Sequence, residues 1–251
     1  MKAAYINAYG GPDQVEIGER PKPKAQIGQL LIKMKAASVN PIDWKTANGD
    51  LKALIKPPFP IMLGSDGAGI VESVGESVAD FKIGDEVFFR CQKMDTGTFA
   101  EYFSVPAELV ALKPKNMSFE KAASIPLVGL TVMQSLTEKA GMKAGSKVLI
   151  HAGAGGVGTF AIQYAKACGA YVATTASKKR NALLTELEAD EIIDYHSQNV
   201  EDELSDYDIV LDTLGASVHD ASYKTLKKAV FWSQCSAFLT TTPSLNTAQI
   251  L

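Results

Sequence analysis

The chain has 251 residues, of which 46% are hydrophobic and 21% charged, the balance of a globular protein with one large domain or two small ones. Its 25 Lys and Arg against 28 Asp and Glu give a net charge of −3, which provides no attraction for nucleic acid or an anionic membrane. Three scattered cysteines exclude a disulfide framework and favour a reducing compartment such as the cytoplasm.

Short apolar runs bounded by Gly and Pro fill the chain as far as about residue 115. Examples are the runs at 30–34, 68–74 and 86–89, each of strand length with turn residues at its ends. Many short strands with irregular connections predict a partly closed β structure.

The pattern changes after Pro114. Ser118 is predicted to cap a helix, and a second helix is predicted after Pro126. Beyond these helices, apolar strands alternate with helices: strands at 148–151, 170–174, 191–195 and 208–212, and helices at 156–168 and 178–187. This alternation predicts an α/β fold, in which a parallel sheet is covered on both faces.

A glycine-rich loop directly follows the strand at 148–151. Gly153, Gly155 and Gly158 fit the pattern G-x-G-x-x-G, with Gly156 and Val157 between the last two. In a dinucleotide site the first glycine permits a tight turn, the second lets the main chain approach the pyrophosphate, and the third lets helix and strand pack closely. The helix N-terminus attracts the phosphates. The alternative is a tight turn that binds no ligand.

The segment after the next strand indicates which dinucleotide binds. An NAD site usually carries Asp or Glu about 20 residues after the first glycine, but the stretch TTASKKR at 174–180 has no acid and three bases. Thr175, Ser177 and Lys178 would offer hydroxyls and a cation to a 2′-phosphate, which favours NADP(H). The alternative is a solvated helix start, where the helix dipole disfavours bases.

These motifs resemble the medium-chain dehydrogenase/reductase superfamily, most closely its zinc-free quinone oxidoreductase (ζ-crystallin-like) branch, which includes enone reductases. The resemblance rests on the order and spacing of several stretches: NPIDWK at 40–45, GSDGAG at 64–69, GDEV at 84–87, GTFAEY at 97–102, GLT at 129–131, the glycine loop, DY at 194–195 and DIVLD at 208–212. It implies a GroES-like catalytic domain at 1–117 and a Rossmann domain at 118–251, with the active site in the cleft between them.

The resemblance also bears on metal binding. In zinc-dependent alcohol dehydrogenases a cysteine ligand stands where this chain has Asn40, and a His-Glu pair stands where it has Ser65 and Asp66. An amide and a hydroxyl are poor zinc ligands. The cysteine-rich lobe that holds a structural zinc is also missing, and the histidines at 151, 196 and 219 form no ligand-spaced motif. We therefore expect no metal.

Hydride transfer without a metal requires an activated acceptor, and a quinone or an α,β-unsaturated carbonyl is suitable. The resemblance implies that Asn40 and Lys45 lie near the nicotinamide and the acceptor. Asn40 would donate an amide hydrogen bond, and Lys45 would anchor the cofactor or stabilise an enolate. The alternatives are a turn residue and a surface lysine. The resemblance places the other site residues around the cofactor: Thr131 near the nicotinamide carboxamide, Tyr195 beside the adenosine phosphate, and Leu214 and Gly215 under the nicotinamide ribose.

The resemblance ends at about Lys228, and residues 229–251 carry no charge. Residues 230–232 are expected to form a fifth strand, but later elements of the family have no counterpart. We therefore expect a truncated or frameshifted chain whose Rossmann domain is incomplete after about 228; the alternative is a genuinely short member of the family. This leaves two rival functions: dinucleotide binding with little or no catalysis, and alcohol dehydrogenase-like activity. A homodimer is an open possibility, which the missing elements would weaken.

Overall fold

The computed structural model describes residues 1–53, 57–91, 97–215 and 218–234, and only the backbone of 228–234. The chain divides into two compact units, Met1–Leu127 and a second that begins at Val128. The division into domains after residue 117 stays a prediction. Within the described residues, no helix is long and apolar enough to cross a membrane.

The first unit is built on antiparallel sheets. Its strands are β1 (Lys2–Ile6), β2 (Val15–Glu19), β3 (Gln29–Ser38), β4 (Ile61–Met62), β5 (Asp66–Val74), β6 (Glu86–Arg90), β7 (Tyr102–Pro106) and β8 (Val110–Leu112). One sheet has the order β2-β1-β4 and the other the order β7-β3-β5-β6-β8. Leu30, Ile32 and Val71 are among the buried side chains that form the core of the larger sheet. The three runs predicted as strands lie in β3, β5 and β6.

Two short helices accompany these sheets, α1 (Pro41–Asn48) and α2 (Phe119–Ala123). A further helix, α3 (Pro126–Val132), begins at the last two residues of the first unit, and its remaining residues and the π-helical segment that follows it, Met133–Lys139, belong to the second unit. Pro41 stands at the first position of α1, where its fixed φ is already helical. The cap predicted at Ser118 is confirmed, since its hydroxyl accepts the N–H of Lys121 at 3.3 Å. The predicted helix start at Pro126 is also confirmed.

The second unit contains one parallel sheet. Its strands are β9 (Lys147–Ile150), β10 (Tyr171–Ala176), β11 (Glu191–Asp194), β12 (Tyr207–Asp212) and β13 (Leu226–Gln234), in the order β11-β10-β9-β12-β13. The helices are α4 (Gly156–Ala167), α5 (Asn181–Glu186), α6 (Val200–Glu203) and α7 (His219–Thr225). The predicted α/β alternation is confirmed. The helix predicted at 178–187 begins as a 3₁₀ turn, Lys178–Arg180, which precedes α5.

The sheet of the second unit is buried on both faces, as the uninterrupted apolar strands predict. Val148, Leu149 and Ile150 of β9 are completely buried. Because β9 lies between β10 and β12, the segments that follow these strands meet at the carboxyl edge of the sheet. The fifth strand expected at 230–232 lies within β13. Residues 235–251, on which the expected truncation also rests, lie outside the described residues.

Candidate functional site

The loop between β9 and α4 turns at Ala152, whose φ of +54° lies in the left-handed region. The tight turn that the sequence assigned to Gly153 is therefore made by its neighbour. Gly153 is needed for close packing instead, because a Cβ there would lie 2.0 Å from Oγ1 of Thr174. Gly158 also permits close packing, as predicted, since its Cβ would lie 2.3 Å from the carbonyl oxygen of Ala152.

The middle of the loop is exposed to solvent at Gly155 and Gly156. A Cβ on Gly156 would meet its nearest side chain at 3.8 Å, whereas a Cβ on Gly155 would lie 3.2 Å from the carbonyl oxygen of Ala152, a tight contact. Gly155 caps α4, and its carbonyl accepts the N–H of Thr159 at 2.9 Å. The N–H groups at the start of the helix, Gly156 and Val157 among them, have no partner within the helix. This exposed cradle of N–H groups fits a pyrophosphate.

Basic and aromatic side chains follow the two neighbouring strands. Ala176 pairs with Asp194 in the parallel register, so the residues after them, Ser177 and Tyr195, leave the sheet at the same level. Lys178 is exposed, and the Tyr195 side chain is 57% exposed with its ring centroid 4.3 Å from that of His196. The sheet thus brings Ser177, Lys178 and Tyr195 to one edge, and their expected contacts with the phosphates of a cofactor stay predictions.

The position of the Thr175 side chain does not fit the contact with a 2′-phosphate that the sequence predicts. The residue is 3% exposed, and its hydroxyl lies 3.1 Å from the N–H of Ala152 and 3.2 Å from Nδ1 of His151. Strand β10 continues to Ala176, so the side chain of Thr175 faces the interior. The sequence segment suggested an exposed hydroxyl, but the structure uses this hydroxyl inside the protein.

A buried carboxylate shapes the segment after β12. Oδ1 of Asp212 accepts the N–H groups of Leu214 at 2.7 Å and Gly215 at 2.9 Å, and Gly215 has a left-handed φ of +82°. The Leu214 side chain is half exposed, whereas Asp212 is fully buried. Thr131 lies partly buried near the end of α3. The expected contacts of these residues with the nicotinamide end of a cofactor stay predictions.

In the first unit, Asn40 belongs to a hydrogen-bonded cluster around Asp66. Its Nδ2 donates to Oδ2 of Asp66 at 3.0 Å and to Oγ of Ser38 at 3.1 Å. The same carboxylate oxygen accepts the Ser38 hydroxyl and the N–H of Leu127. Burial raises the pKa of Asp66, and the hydrogen bond from Asn40 opposes this effect. Both amide hydrogens of Asn40 are thus engaged, so the expected donation to a substrate does not fit this arrangement.

Ser65 is held in a similar way by Asp43. The Ser65 hydroxyl donates to Oδ1 of Asp43 at 2.6 Å, and the N–H of Asn40 donates to Oδ2 at 2.7 Å. Asn40 and Ser65, which stand at the positions of the cysteine and histidine zinc ligands, are therefore neutral side chains that are hydrogen-bonded to carboxylates. Such an amide and hydroxyl do not fit a zinc ion. Sequence reasoning missed the role of Asp43, although an acid three residues after a helix cap is a known signal.

Lys45 lies in the middle of α1. It is partly buried, and its Nζ lies 5.4 Å from the ring centroid of Trp44, a side chain that is half exposed. A cation beside an exposed aromatic ring is compatible with anchoring the cofactor and with stabilising an enolate. It is equally compatible with an ordinary surface lysine. Its role stays a prediction.

Comparison with known proteins identifies the family. Residues 26–115 match the alcohol dehydrogenase GroES-like domain, and residues 156–251 match the zinc-binding dehydrogenase family. The chain is 39% identical over 237 residues to the chloroplastic NADPH-dependent alkenal/one oxidoreductase of Arabidopsis thaliana, covering 91% of this chain and 60% of that protein. It is 41% identical over 224 residues to the 2-methylene-furan-3-one reductase of Solanum lycopersicum, covering 86% and 57%. The chain thus spans about three fifths of these relatives.

Solved structures agree with this result. The quinone oxidoreductase of Coxiella burnetii has 39% identity and a TM-score of 0.84, covering 92% of this chain and 74% of that one. The quinone oxidoreductase of Escherichia coli complexed with NADPH has 28% identity and a TM-score of 0.84, covering 92% and 72%. The chain therefore belongs to the medium-chain dehydrogenase/reductase superfamily, where its relatives are quinone and alkenal/one oxidoreductases.

Proposed function

We propose that the protein is an NADPH-dependent oxidoreductase that transfers a hydride to a quinone or an α,β-unsaturated carbonyl without a metal ion. One observation carries this proposal: a solvent-exposed glycine loop and the acid-free basic segment 177–180 lie at the same edge of one sheet. The relatives named for NADPH-dependent alkenal/one reduction and the NADPH complex of a quinone oxidoreductase support it.

The residues of the second unit are assigned to parts of the cofactor. The N–H groups at the start of α4 would hold the pyrophosphate. Ser177 and Lys178 would bind the 2′-phosphate through a hydroxyl and a charge-assisted hydrogen bond, with Tyr195 beside them. Asp212 would hold the main chain of Leu214 and Gly215 in position. When bound, the nicotinamide supplies the hydride.

Two side chains favour chemistry without a metal ion. Asn40 and Ser65 are neutral and hydrogen-bonded to carboxylates, and among the described residues no group of three or more His, Cys, Asp or Glu is arranged to hold a metal ion. The negative charge that develops on the acceptor oxygen would then be met by the Lys45 ammonium. A chelator is expected to leave turnover unchanged, whereas stoichiometric zinc in the purified protein would contradict this part of the proposal.

The test is NADPH oxidation by the purified chain with a simple quinone and with an enone. We expect turnover of at least one of them. Lys45→Met is expected to lower kcat about tenfold or more if the ammonium stabilises an enolate, and to raise the KM for NADPH if it anchors the cofactor. NADPH binding without turnover of either acceptor would contradict the proposal and select the rival, a dinucleotide-binding protein with little or no catalysis.

The cellular compartment belongs to this proposal as well. Among the described residues, Cys91 and Cys168 are not in disulfide bonds, which is consistent with a reducing compartment such as the cytoplasm. The relatives include chloroplastic and mitochondrial proteins. Fractionation of cells that produce the protein at its natural level tests the assignment, and recovery in an organelle would contradict it.

A further inference from the structure

His151 lies between β9 and the glycine loop and is 1% exposed. Each of its ring nitrogens meets a hydroxyl group. Nδ1 lies 3.2 Å from Oγ1 of Thr175 in β10, and Nε2 lies 3.0 Å from Oγ of Ser222 in α7. The imidazole therefore joins a strand and a helix at the point where the loop begins.

The directions of these hydrogen bonds follow from counting protons. Ser222 has one hydroxyl proton, and it donates that proton to the carbonyl oxygen of Val218 at 2.7 Å. Ser222 must therefore accept from Nε2–H of His151. Burial lowers the pKa of His151, and the nearby Asp212 carboxylate opposes this effect. The lowered pKa keeps the imidazole ring neutral. A neutral ring with its proton on Nε2 has an acceptor at Nδ1.

This tautomer fixes the hydroxyl of Thr175. The hydroxyl proton points to Nδ1 of His151, so a lone pair of Oγ1 faces the N–H of Ala152 at 3.1 Å. The carbonyl oxygen of Thr175 accepts the N–H of Gly153 at 3.0 Å. Two oxygen atoms of Thr175 thus hold the first two N–H groups of the loop. Ala152 keeps a left-handed φ of +54°, which a residue with a Cβ adopts only where its surroundings impose it.

We propose that His151 is a positioning residue for the dinucleotide loop: it orients the Thr175 hydroxyl, which holds the N–H of Ala152 and with it the shape of the loop. The consequence for cofactor binding rests on the proposed function. The hydrogen-bond chain itself, from Ala152 through Thr175 and His151 to Ser222, is a property of the second unit alone.

Two variants separate the two ring nitrogens. His151→Asn places an amide oxygen one bond from Cγ, as Nδ1 is in the ring, so it keeps an acceptor beside Thr175 and loses the donor to Ser222. His151→Gln carries its amide one carbon further along, so it keeps the donor to Ser222 and loses the acceptor beside Thr175. Both replace the imidazole by a neutral amide, which makes them matched controls for each other.

Two quantities are measured for each variant: the Kd for NADPH by fluorescence titration, and hydrogen exchange at the N–H of Ala152 and Gly153 without cofactor. We expect the Kd of His151→Gln to exceed that of His151→Asn about tenfold, the effect of one lost hydrogen bond. Exchange at Ala152 is expected to be faster in His151→Gln by a similar factor.

Thr175→Val removes the hydroxyl and keeps the shape of the side chain. It is expected to accelerate exchange at Ala152 as His151→Gln does. The double variant is expected to show no additional effect on Ala152, because both substitutions break the same contact. Additive effects would contradict the proposed chain.

The outcomes separate this inference from the proposed function. Equal exchange at Ala152 in His151→Asn and His151→Gln would overturn the inference and leave His151 as a packing residue, and so would a ¹⁵N spectrum with the ring proton on Nδ1. If the wild-type chain does not bind NADPH, the proposed function fails, while the exchange rates still decide the role of His151.

Discussion

Asp66 accepts three hydrogen bonds on one oxygen atom, from Ser38, Asn40 and the main chain of Leu127. Because this oxygen accepts, it turns the amide nitrogen of Asn40, rather than the amide oxygen, towards itself. The family resemblance identified Asn40 as a candidate site residue, but it could not predict which way the side-chain amide faces. Its partner is 26 residues away in the chain, and they meet because β3 and β5 pair Ser38 with Asp66.

We expect the free energy of unfolding to depend on pH through the buried His151. Burial lowers its pKa in the folded state despite the Asp212 carboxylate, whereas a histidine in an unfolded chain has a pKa of about 6.5. On acidification the unfolded chain takes up this proton first. The stability due to neutral His151 is therefore fully present above about pH 6.5 and is lost as the pH falls towards the folded pKa, by at most ~1.4 kcal/mol per pH unit.

Urea unfolding at a series of pH values checks this prediction. Between about pH 7 and 5.5, around the unfolded pKa of histidine, the free energy of unfolding is expected to fall more steeply for the wild type than for His151→Asn. The variant serves as the control because it keeps every other titrating group. Parallel pH profiles would contradict the prediction, because they would show that the pKa of His151 is the same in the folded and the unfolded chain.

At the scale of elements, the alternation of β9, α4 and β10 could be predicted from the apolar pattern, and the start of α4 falls at Gly156 as predicted. The turn before it could not. Sequence rules give a positive φ to glycine, but here Ala152 adopts it. The hydroxyl of Thr175, more than twenty residues away in the chain, holds that turn, and no local pattern reveals such a contact.

Alanine substitutions at two glycines of the loop would place their added Cβ atoms in different surroundings. Gly153→Ala would place a Cβ 2.0 Å from Oγ1 of Thr174, a fully buried side chain, so we expect a loss of ~1–3 kcal/mol in the free energy of unfolding. Gly156→Ala is the matched control. Its Cβ has no heavy atom closer than 3.8 Å at the start of α4, and it is expected to be neutral or slightly stabilising. Equal losses in the two variants would refute this packing role of Gly153.

At the scale of the whole molecule, the parallel sheet of the second unit and its open edge were predictable from alternating strands and helices. The order β11-β10-β9-β12-β13 brings the segments after four strands together, although they lie far apart in the chain. The sequence could not predict which of their side chains face outward. Thr175 and Lys178 were expected to act together, yet one is buried and the other exposed. The homodimer stays a prediction.

The residues at the carboxyl edge of this sheet predict that the protein binds NADPH more tightly than NADH. Lys178 is exposed beside Ser177, and the stretch 174–180 contains no acid. A charge-assisted hydrogen bond to the 2′-phosphate is expected to make the Kd for NADPH about tenfold or more lower than that for NADH. Lys178→Ala is expected to raise the Kd for NADPH and leave that for NADH unchanged. Equal Kd values for the two cofactors in the wild type would contradict this interpretation of the segment.

The most direct test of NADP(H) binding at the glycine loop is a fluorescence titration of the wild type, Gly155→Asp and Gly155→Asn with NADPH. Gly155 has φ −82° and ψ 172° and is the N-cap of α4, a position at which Asp and Asn are about equally favoured. Both variants add the same Cβ, 3.2 Å from the carbonyl oxygen of Ala152, so any strain from that contact is common to the two. A carboxylate there would face the pyrophosphate. We predict saturable binding by the wild type and a Kd at least about tenfold higher for Gly155→Asp than for Gly155→Asn. Equal affinity in all three proteins would place the cofactor elsewhere and contradict the account.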